Sequence, residues 1–427
     1  MHPISPVKGT RDFFPEQQAR RRWLAEKIRA ASQAFGYHEY EAPYLERLDL
    51  YAARSGEELV REQSFVFQDR GGDWIVLRPE LTPSLARMVA MRKSTLALPL
   101  RWWAYGPFWR YEKPQKGRSR EFWQWNIDLL GIDSPWADAE LVAIAAHFFR
   151  SVGLGPDRIQ ISVNDRRLVE RQMDSLSIPK DLRPEVLHWI DRRESSHGSQ
   201  RPEALVGAGL TSRQAEGVRG LLDQRDAWRN SEELAAFFDG ISAMGASDYV
   251  VYSPSIVRGL DYYTGTVFEA RDTTGGLRAI LGGGRYDDLV GDVGGERLPG
   301  VGFAMGDVVL SLILEETGAF PDLAPAPTQV LVLSFPEVSD AHSVQLAGEL
   351  RAAGLRAEWY PAQDRVPKQL KYADRNRIPI AALLGPQEVE GGQVTLKDLR
   401  GGTQVTIPRA EAAATALAWL AGPATSS

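Results

Sequence analysis

The chain has 427 residues, 43% hydrophobic and 25% charged, with a formal net charge of −6. That is the mix of a soluble globular protein, long enough for roughly two or three domains. It contains no cysteine, which excludes disulfides, zinc–thiolate centres and thiol nucleophiles. No apolar run reaches the roughly 18 residues of a membrane helix, and the first residues lack the apolar core of a signal peptide. A cytoplasmic location is therefore expected. The six histidines are scattered without ligand spacing, so no metal-binding residue is expected from the protein.

From the start of the chain, Trp23, Leu24, Ile28, Ala31 and Phe35 recur at helical spacing, with Gly36 as a stop. A short strand, a break at Pro43 and a second helix follow. "SFVFQDRGGDWIVLRPE" predicts a hairpin turning at Gly71–Gly72. "TPSLARMVAMRK" predicts a helix with Thr82 as N-cap and Pro83 at the first helical position. "LRWWAYGPFWRYE" and "REFWQWNIDLLG" read as two strands joined by a basic loop. On such strands Arg110, Glu112, Gln124, Asn126 and Asp128 alternate and share a face. Residues from about 165 to 245 are polar and helical, an inserted module. Strand patterns return in "DYVVYSPSIVRGLDYYTGTVFEA" and "AILGGGRYDDLV". "GVGFAMGDVVLSLILEE" then reads as strand and helix. The Pro- and Ala-rich "TGAFPDLAPAPTQ" separates a last unit, in which strands and helices alternate as in a small α/β domain with a mixed sheet.

Several stretches carry chemistry. The loop with Lys113, Lys116, Arg118 and Arg120 around Gly117 suits a polyphosphate, since guanidinium groups bind its oxygens bidentately; the plain alternative is a solvated basic turn. Glu80 and Thr82 lie where a strand gives way to a helix, a usual place for ligand contacts, though a cap and a surface ion pair would explain them too. Arg258, Asp261, Tyr262 and Tyr263 enter the strand "TGTVFEA", where tyrosines also suit a sheet core. "LGGGRYDDLVGDVGG" lacks the Gly-Lys-Ser/Thr ending of a P-loop, leaving glycines that admit a ligand to the backbone.

Taken together and in this order, "KGTRDFFP", "APYLERLDLY", "RPELT", "FWRYEKPQKGRSREFWQ", "RGLDYYTGTVFE", "GGGRYDDL", "KQLKYADRNR" and "VTLKDLRGGTQ" resemble the histidyl-tRNA synthetase family of class II aminoacyl-tRNA synthetases, nearly end to end. The resemblance implies an α+β fold. Residues 1–325 would form an antiparallel-sheet catalytic domain with the helical insertion, and 326–427 an α/β anticodon-binding domain. It implies ATP-dependent attachment of L-histidine to its cognate tRNA through a histidyl-adenylate, with Mg2+ and a homodimer paired around "APYLERLDLY". Arg110 and Arg258 would act at the α-phosphate, and Arg118 and Arg120 on the outer phosphates. Glu112 would meet the adenine amino group and Phe122 would stack on the ring. Glu80, Leu81, Thr82, Gln124, Asp128, Tyr262, Tyr263 and Tyr286 would form the histidine pocket. The alternative is a paralogue without ligase activity, the regulatory subunit of an ATP phosphoribosyltransferase; such subunits typically lack the last domain. The chain departs from the family pattern at Val308 and Val309, where Glu and Arg belong. Arg118, Arg120 and Arg285 are the guanidinium groups left to compensate.

Overall fold

Two tryptophan-rich segments, each alternating aromatic with small or polar residues, build the centre of the main sheet. The computed structural model describes residues 4–55, 57–195, 203–257, 263–292, 295–323 and 327–421. It divides into two compact units, Met1–Asp12 with Trp23–Phe320, and Phe13–Arg22 with Pro321–Ser427.

Helix α1 spans Pro15–Ala34, and strand β1 is His38–Glu39. β2 (Leu45–Arg47), α2 (Leu48–Ser55), α3 (Glu57–Gln63), β3 (Val66–Gln68) and β4 (Trp74–Leu77) follow. β2, β4 and β3 form a small antiparallel sheet. The expected turn is there: Gly72 has φ +90°, and the Asp69 carboxylate accepts from the Gly71 and Asp73 N–H groups. Next is α4 (Thr82–Arg92). Its first i→i−4 bond runs from Leu85 N–H to the Leu81 carbonyl, 3.0 Å. Leu81 rather than Thr82 therefore stands at the cap position, a correction of one residue.

The main sheet has eight strands. β5 (Leu100–Trp109), β6 (Glu121–Leu130), β7 (Ile159–Asp165), β8 (Val250–Tyr252), β9 (Thr266–Asp272), β10 (Leu281–Tyr286) and β11 (Gly300–Gly306) join β1 in the order β1-β5-β6-β11-β10-β9-β7-β8. Its long pairings are antiparallel; only the β1–β5 and β7–β8 pairs are parallel. α5 (Pro135–Ser151) links β6 to β7. The insertion consists of α6 (Arg166–Ser175), α7 (Arg183–Ser195), α8 (Glu203–Gly207), α9 (Ser212–Leu222) and α10 (Glu232–Ala243). Val169, Met173, Trp189, Leu205 and Val218 give this module an apolar core of its own. α11 (Leu289–Asp292) and α12 (Asp307–Glu316) complete the first unit.

The two faces of the sheet differ because side chains alternate along each strand. One face carries Trp103, Trp125, Ile127, Leu129, Val301, Phe303 and Met305, buried against Leu141, Ile144 and Phe148 of α5 and Phe237 and Ile241 of α10. Hydrophobic burial at about 25 cal/mol per Å2 makes this the main stabilising region. α5 and α10 pack so tightly that a Cβ on Gly240 would come within 2.9 Å of the Ala139 Cβ. The same face holds a buried ion pair: Arg285, 1% exposed, donates to both carboxylate oxygens of Asp138 at 2.5 and 3.2 Å, and to the Ser134 and Ile132 carbonyls. Arg285 is thus a structural group, turned from the ligand face. Arg285→Met should cost about 3–5 kcal/mol by stranding the Asp138 charge. The check is urea unfolding followed by tryptophan fluorescence, with Asp138→Ala/Arg285→Met expected to recover part of the loss.

In the second unit β12 (Val330–Val332), β13 (Ala357–Trp359), β14 (Ile380–Leu383), β15 (Gln393–Asp398) and β16 (Gln404–Pro408) form a mixed sheet in the order β13-β12-β14-β15-β16. β12 runs parallel to β13 and β14, and the last two pairings are antiparallel. α13 (Asp340–Ala352), α14 (Val366–Arg375), α15 (Pro386–Glu390) and α16 (Ala412–Ala421) complete it. Leu346, Leu350, Ile380, Leu396 and Ala416 meet in its core, the alternation that the sequence predicts.

Candidate active site

The second face of the main sheet is bare by composition. Register places Gly306, Ala304 and Gly302 beside Gln124, Asn126 and Asp128 on one side, and Gly106, Ala104 and Trp102 on the other. Gly282 and Gly284 continue the floor opposite Ala304 and Gly302. All of these neighbours but Trp102 carry at most a methyl group, so the polar side chains of β6 meet little bulk from the strands beside them. A Cβ at Gly282 or Gly306 would meet nothing within 4 Å, whereas one at Gly302 would lie 2.2 Å from Asp128 Oδ1. Gly302 is therefore what lets the Asp128 carboxylate sit where it does.

A cleft of about 390 Å3 lies over this floor; Arg110, Glu112, Arg118, Phe122, Gln124 and Tyr263 line it, together with Glu269, Arg278, Val308 and Val309. The basic loop curls over one wall. Gln115 and Arg118 exchange backbone hydrogen bonds of 3.1 and 2.8 Å, and Gly117 at φ +78° makes the turn, where a side chain would be strained. Arg118 pairs with Glu112. Arg110 lies just past the end of β5 yet keeps the face of that strand: its Nε donates to the Pro79 carbonyl at 3.1 Å, and its guanidinium sits 5.2 Å from the Phe122 ring centre. Phe122 in turn stacks on Phe108, so the ring is held at a fixed height.

On the floor strand β6, Gln124 Nε2 donates to Asn126 Oδ1 at 3.0 Å. Asp128, 5% exposed, accepts from the Tyr286 hydroxyl. Burial pushes the Asp128 carboxyl up to about 7, and the Tyr286 hydrogen bond opposes that rise. Tyr263 is pushed well above the usual phenol range by burial first, with the charges of Glu80 and Asp128 adding to it; its ring covers Gly284, whose added Cβ would lie 2.8 Å away. Glu80 borders a smaller cavity of about 200 Å3 that it shares with Tyr51, Gln63, Ser64 and Arg110. The Tyr51 hydroxyl donates to the Glu80 carbonyl at 3.1 Å.

Most of the expected residues converge here: Arg110, Glu112, Arg118, Phe122, Gln124 and Tyr263 on the cleft, with Asp128 and Tyr286 beneath it and Glu80 beside it. Thr82 opens α4, one residue on from Leu81. Arg120 turns away, its Nε on the Glu112 carbonyl at 3.1 Å and its guanidinium over Tyr111. The Leu81 side chain, 1% exposed, packs with Ala42, Ala104 and Phe108 instead of facing a ligand. Arg258, Asp261 and Tyr262 lie outside the described residues.

Sequence reasoning passed over three contributors. Arg78 is fully buried and ties Glu41, the Ala42 carbonyl and the Pro107 carbonyl together, which sets the approach of "RPELT" to the sheet. Glu269 is buried in the cleft wall and paired with Arg271. Arg278 lines the mouth. Of these only Glu269 was legible, as a carboxylate directly after the apolar Val267 and Phe268 of its strand. Among the described residues no group of three or more His, Asp or Glu side chains is arranged to hold a metal ion.

A family model described as histidyl-tRNA synthetase matches residues 9–307, and one described as an anticodon-binding domain matches residues 329–419. A histidine–tRNA ligase of Haloarcula marismortui is 36% identical over 419 residues, covering 94% of this chain and 95% of that protein. A histidine–tRNA ligase of Opitutus terrae is 37% identical over 427 residues, covering 96% and 97%. Among solved structures, a histidyl-tRNA synthetase from Nostoc sp. PCC 7120 superposes with a TM-score of 0.81 at 26% identity, over 98% of this chain and 99% of that one. A Bacillus halodurans protein described as an ATP phosphoribosyltransferase regulatory subunit/histidyl-tRNA synthetase shares the fold, with a TM-score of 0.73 at 22% identity over 90% of this chain and all of that one.

Proposed function

The chain belongs to the histidyl-tRNA synthetase family, and on that premise we infer that it joins L-histidine to its cognate tRNA at the cleft over the bare sheet face. In the first step a histidine carboxylate oxygen forms a bond to the α-phosphorus of ATP, and pyrophosphate leaves with the electrons of the broken P–O bond. In the second a ribose hydroxyl at the tRNA end attacks the histidyl carbonyl and AMP leaves. The observation that carries this reading is the row Gln124–Asn126–Asp128 on one sheet face, whose Gln124 lines the same cleft as Tyr263, Arg110 and Arg118. Polar groups that fit an imidazole and an ammonium thus adjoin fixed positive charge, which is what a pentavalent phosphorus requires.

In this reading Asp128 accepts from one imidazole N–H, Tyr263 faces the other ring nitrogen, and Glu80, Thr82 and Gln124 hold the α-ammonium. Tyr262 belongs with the same ligand by family resemblance, and Tyr286 holds Asp128. Arg110 and Arg258 bear on the α-phosphate and Arg118 on the outer ones. Glu112 meets the adenine amino group and Phe122 its ring. Mg2+, when bound, would neutralise phosphate charge; besides the phosphates it would need one or two carboxylates, and Glu269 of the cleft wall would serve in place of its pairing with Arg271. Arg120 acts through the loop it braces. The two domains are 1–325 and 326–427, the second reading the anticodon. A homodimer finds support in the small β2-β4-β3 sheet, where Tyr44, Leu45, Phe67 and Trp74 are large apolar groups left exposed, the signature of an interaction surface. A cytoplasmic location accords with the finding that no described helix is long and apolar enough to cross a membrane.

The regulatory-subunit alternative is not favoured, because an anticodon-binding model matches residues 329–419 and the relatives matching almost end to end are named ligases. ATP–pyrophosphate exchange should appear only with histidine present. A chain ending at residue 320 should keep exchange while charging of tRNA drops by at least an order of magnitude. Exchange absent from folded full-length protein would remove the ligase reading; equal losses in both assays would remove the division of labour.

A further inference from the structure

The cleft has a further cation outside the basic loop. Arg278 lies between β9 and β10 and borders the same cleft as Arg118 and Arg110. Two residues on, the Ile280 carbonyl accepts from the N–H of Gly306, the last residue before α12, at 3.3 Å, and Leu281 pairs with Met305. The groups α12 presents to the cleft there are Val308 and Val309, which offer nothing to a phosphate. Glu112 is paired with Arg118 and Glu269 with Arg271. Arg285 is locked to Asp138 on the other face, and Arg120 is turned to Tyr111. A bound triphosphate carries charge along its whole length, and the valines that border the cleft neutralise none of it.

From this juxtaposition we propose that Arg278 binds the outer phosphates of the nucleotide from the β9–β10 loop, supplying the guanidinium that the start of α12 lacks. The proposal rests on the ligase reading and goes beyond it in assigning a residue. Bidentate contact to non-bridging oxygens from a second segment fixes the chain of phosphates without adding charge at the adenine.

The test is histidine-dependent exchange with Arg278→Ala and Arg278→Gln, and inhibition of the same reaction by AMP. KM for ATP should rise about tenfold, while KM for histidine and inhibition by AMP stay within twofold and the melting temperature holds. Arg278→Lys should recover part of the loss, because a point charge remains. Adding Val309→Arg to Arg278→Ala should recover ATP affinity, since both positions border one stretch of cleft. An unchanged KM for ATP would overturn the proposal, and so would equal weakening of ATP and AMP, which would place Arg278 at the nucleoside. Wild-type protein without exchange would instead strike the ligase reading itself.

Discussion

Arg110→Ala is expected to lower the rate of histidine-dependent ATP–pyrophosphate exchange by about 10²–10³-fold, with much smaller changes in KM for histidine. The size follows from removing one fixed charge aimed at a centre that becomes more negative in the transition state, about 2.7–4 kcal/mol. Arg110 is suited to that task because it is already oriented: the Pro79 carbonyl fixes its Nε, Phe122 supports its plane, and it borders both the main cleft and the Glu80 cavity. Little reorganisation remains when substrate arrives. Lysine should rescue poorly, since an ammonium cannot reproduce two parallel N–H donors. Pre-steady-state adenylate formation at saturating histidine and ATP separates the effect from binding. If rate and affinity fell equally, Arg110 would be a ground-state binding group only.

Asp128→Asn should weaken histidine binding about 10²-fold, the loss expected when a charged hydrogen bond becomes neutral and a buried amide faces an N–H donor. The same change should alter the pH dependence. Burial holds the Asp128 carboxyl at about 7, so histidine affinity of the wild type should rise with pH up to about 7 and then level. The ratio of wild-type affinity to that of the Asp128→Asn variant cancels the titration of histidine itself and isolates this limb. Stability should move the other way. The unfolded chain loses this proton near 4, the folded chain near 7, so between them the native state binds more protons and stability falls as pH rises. Asp128→Asn should therefore stabilise the ligand-free protein above pH 7 by an amount on the order of a few kcal/mol. Calorimetric melting at pH 5 and pH 8 checks it. A melting difference independent of pH would reject Asp128 as the titrating group.

The glycines show where reading along the chain stopped. "LGGGRY" was legible as glycines that let something approach the backbone and "GVGFAMG" as a strand, but not the two as one floor. That required knowing that Gly282 lies against Ala304 and Gly302 against Asp128. The second of these registers joins strands that the whole helical insertion separates in the chain. Arg120 shows the converse. It belongs to the same basic loop as Arg118, yet the turn at Gly117 sends one into the cleft and the other onto Tyr111.

Local pattern was enough for the elements themselves, because period and punctuation are properties of neighbours. The helical stop at Gly36, the hairpin at Gly72, the alternating strands β5 and β6 and the mixed sheet of the last unit all follow from spacing within a few residues. Motif order was enough for the family, since the groups needed for an amino acid, a nucleotide and a tRNA occur in one sequence. Folding in three dimensions decided which of several arginines reaches the cleft. Arg278 and Arg118 border it, Arg285 is committed to Asp138, and Arg120 to the loop. Side-chain direction depends on strand pairing and on competing carboxylates brought from afar, and neither is written in the residues next to an arginine.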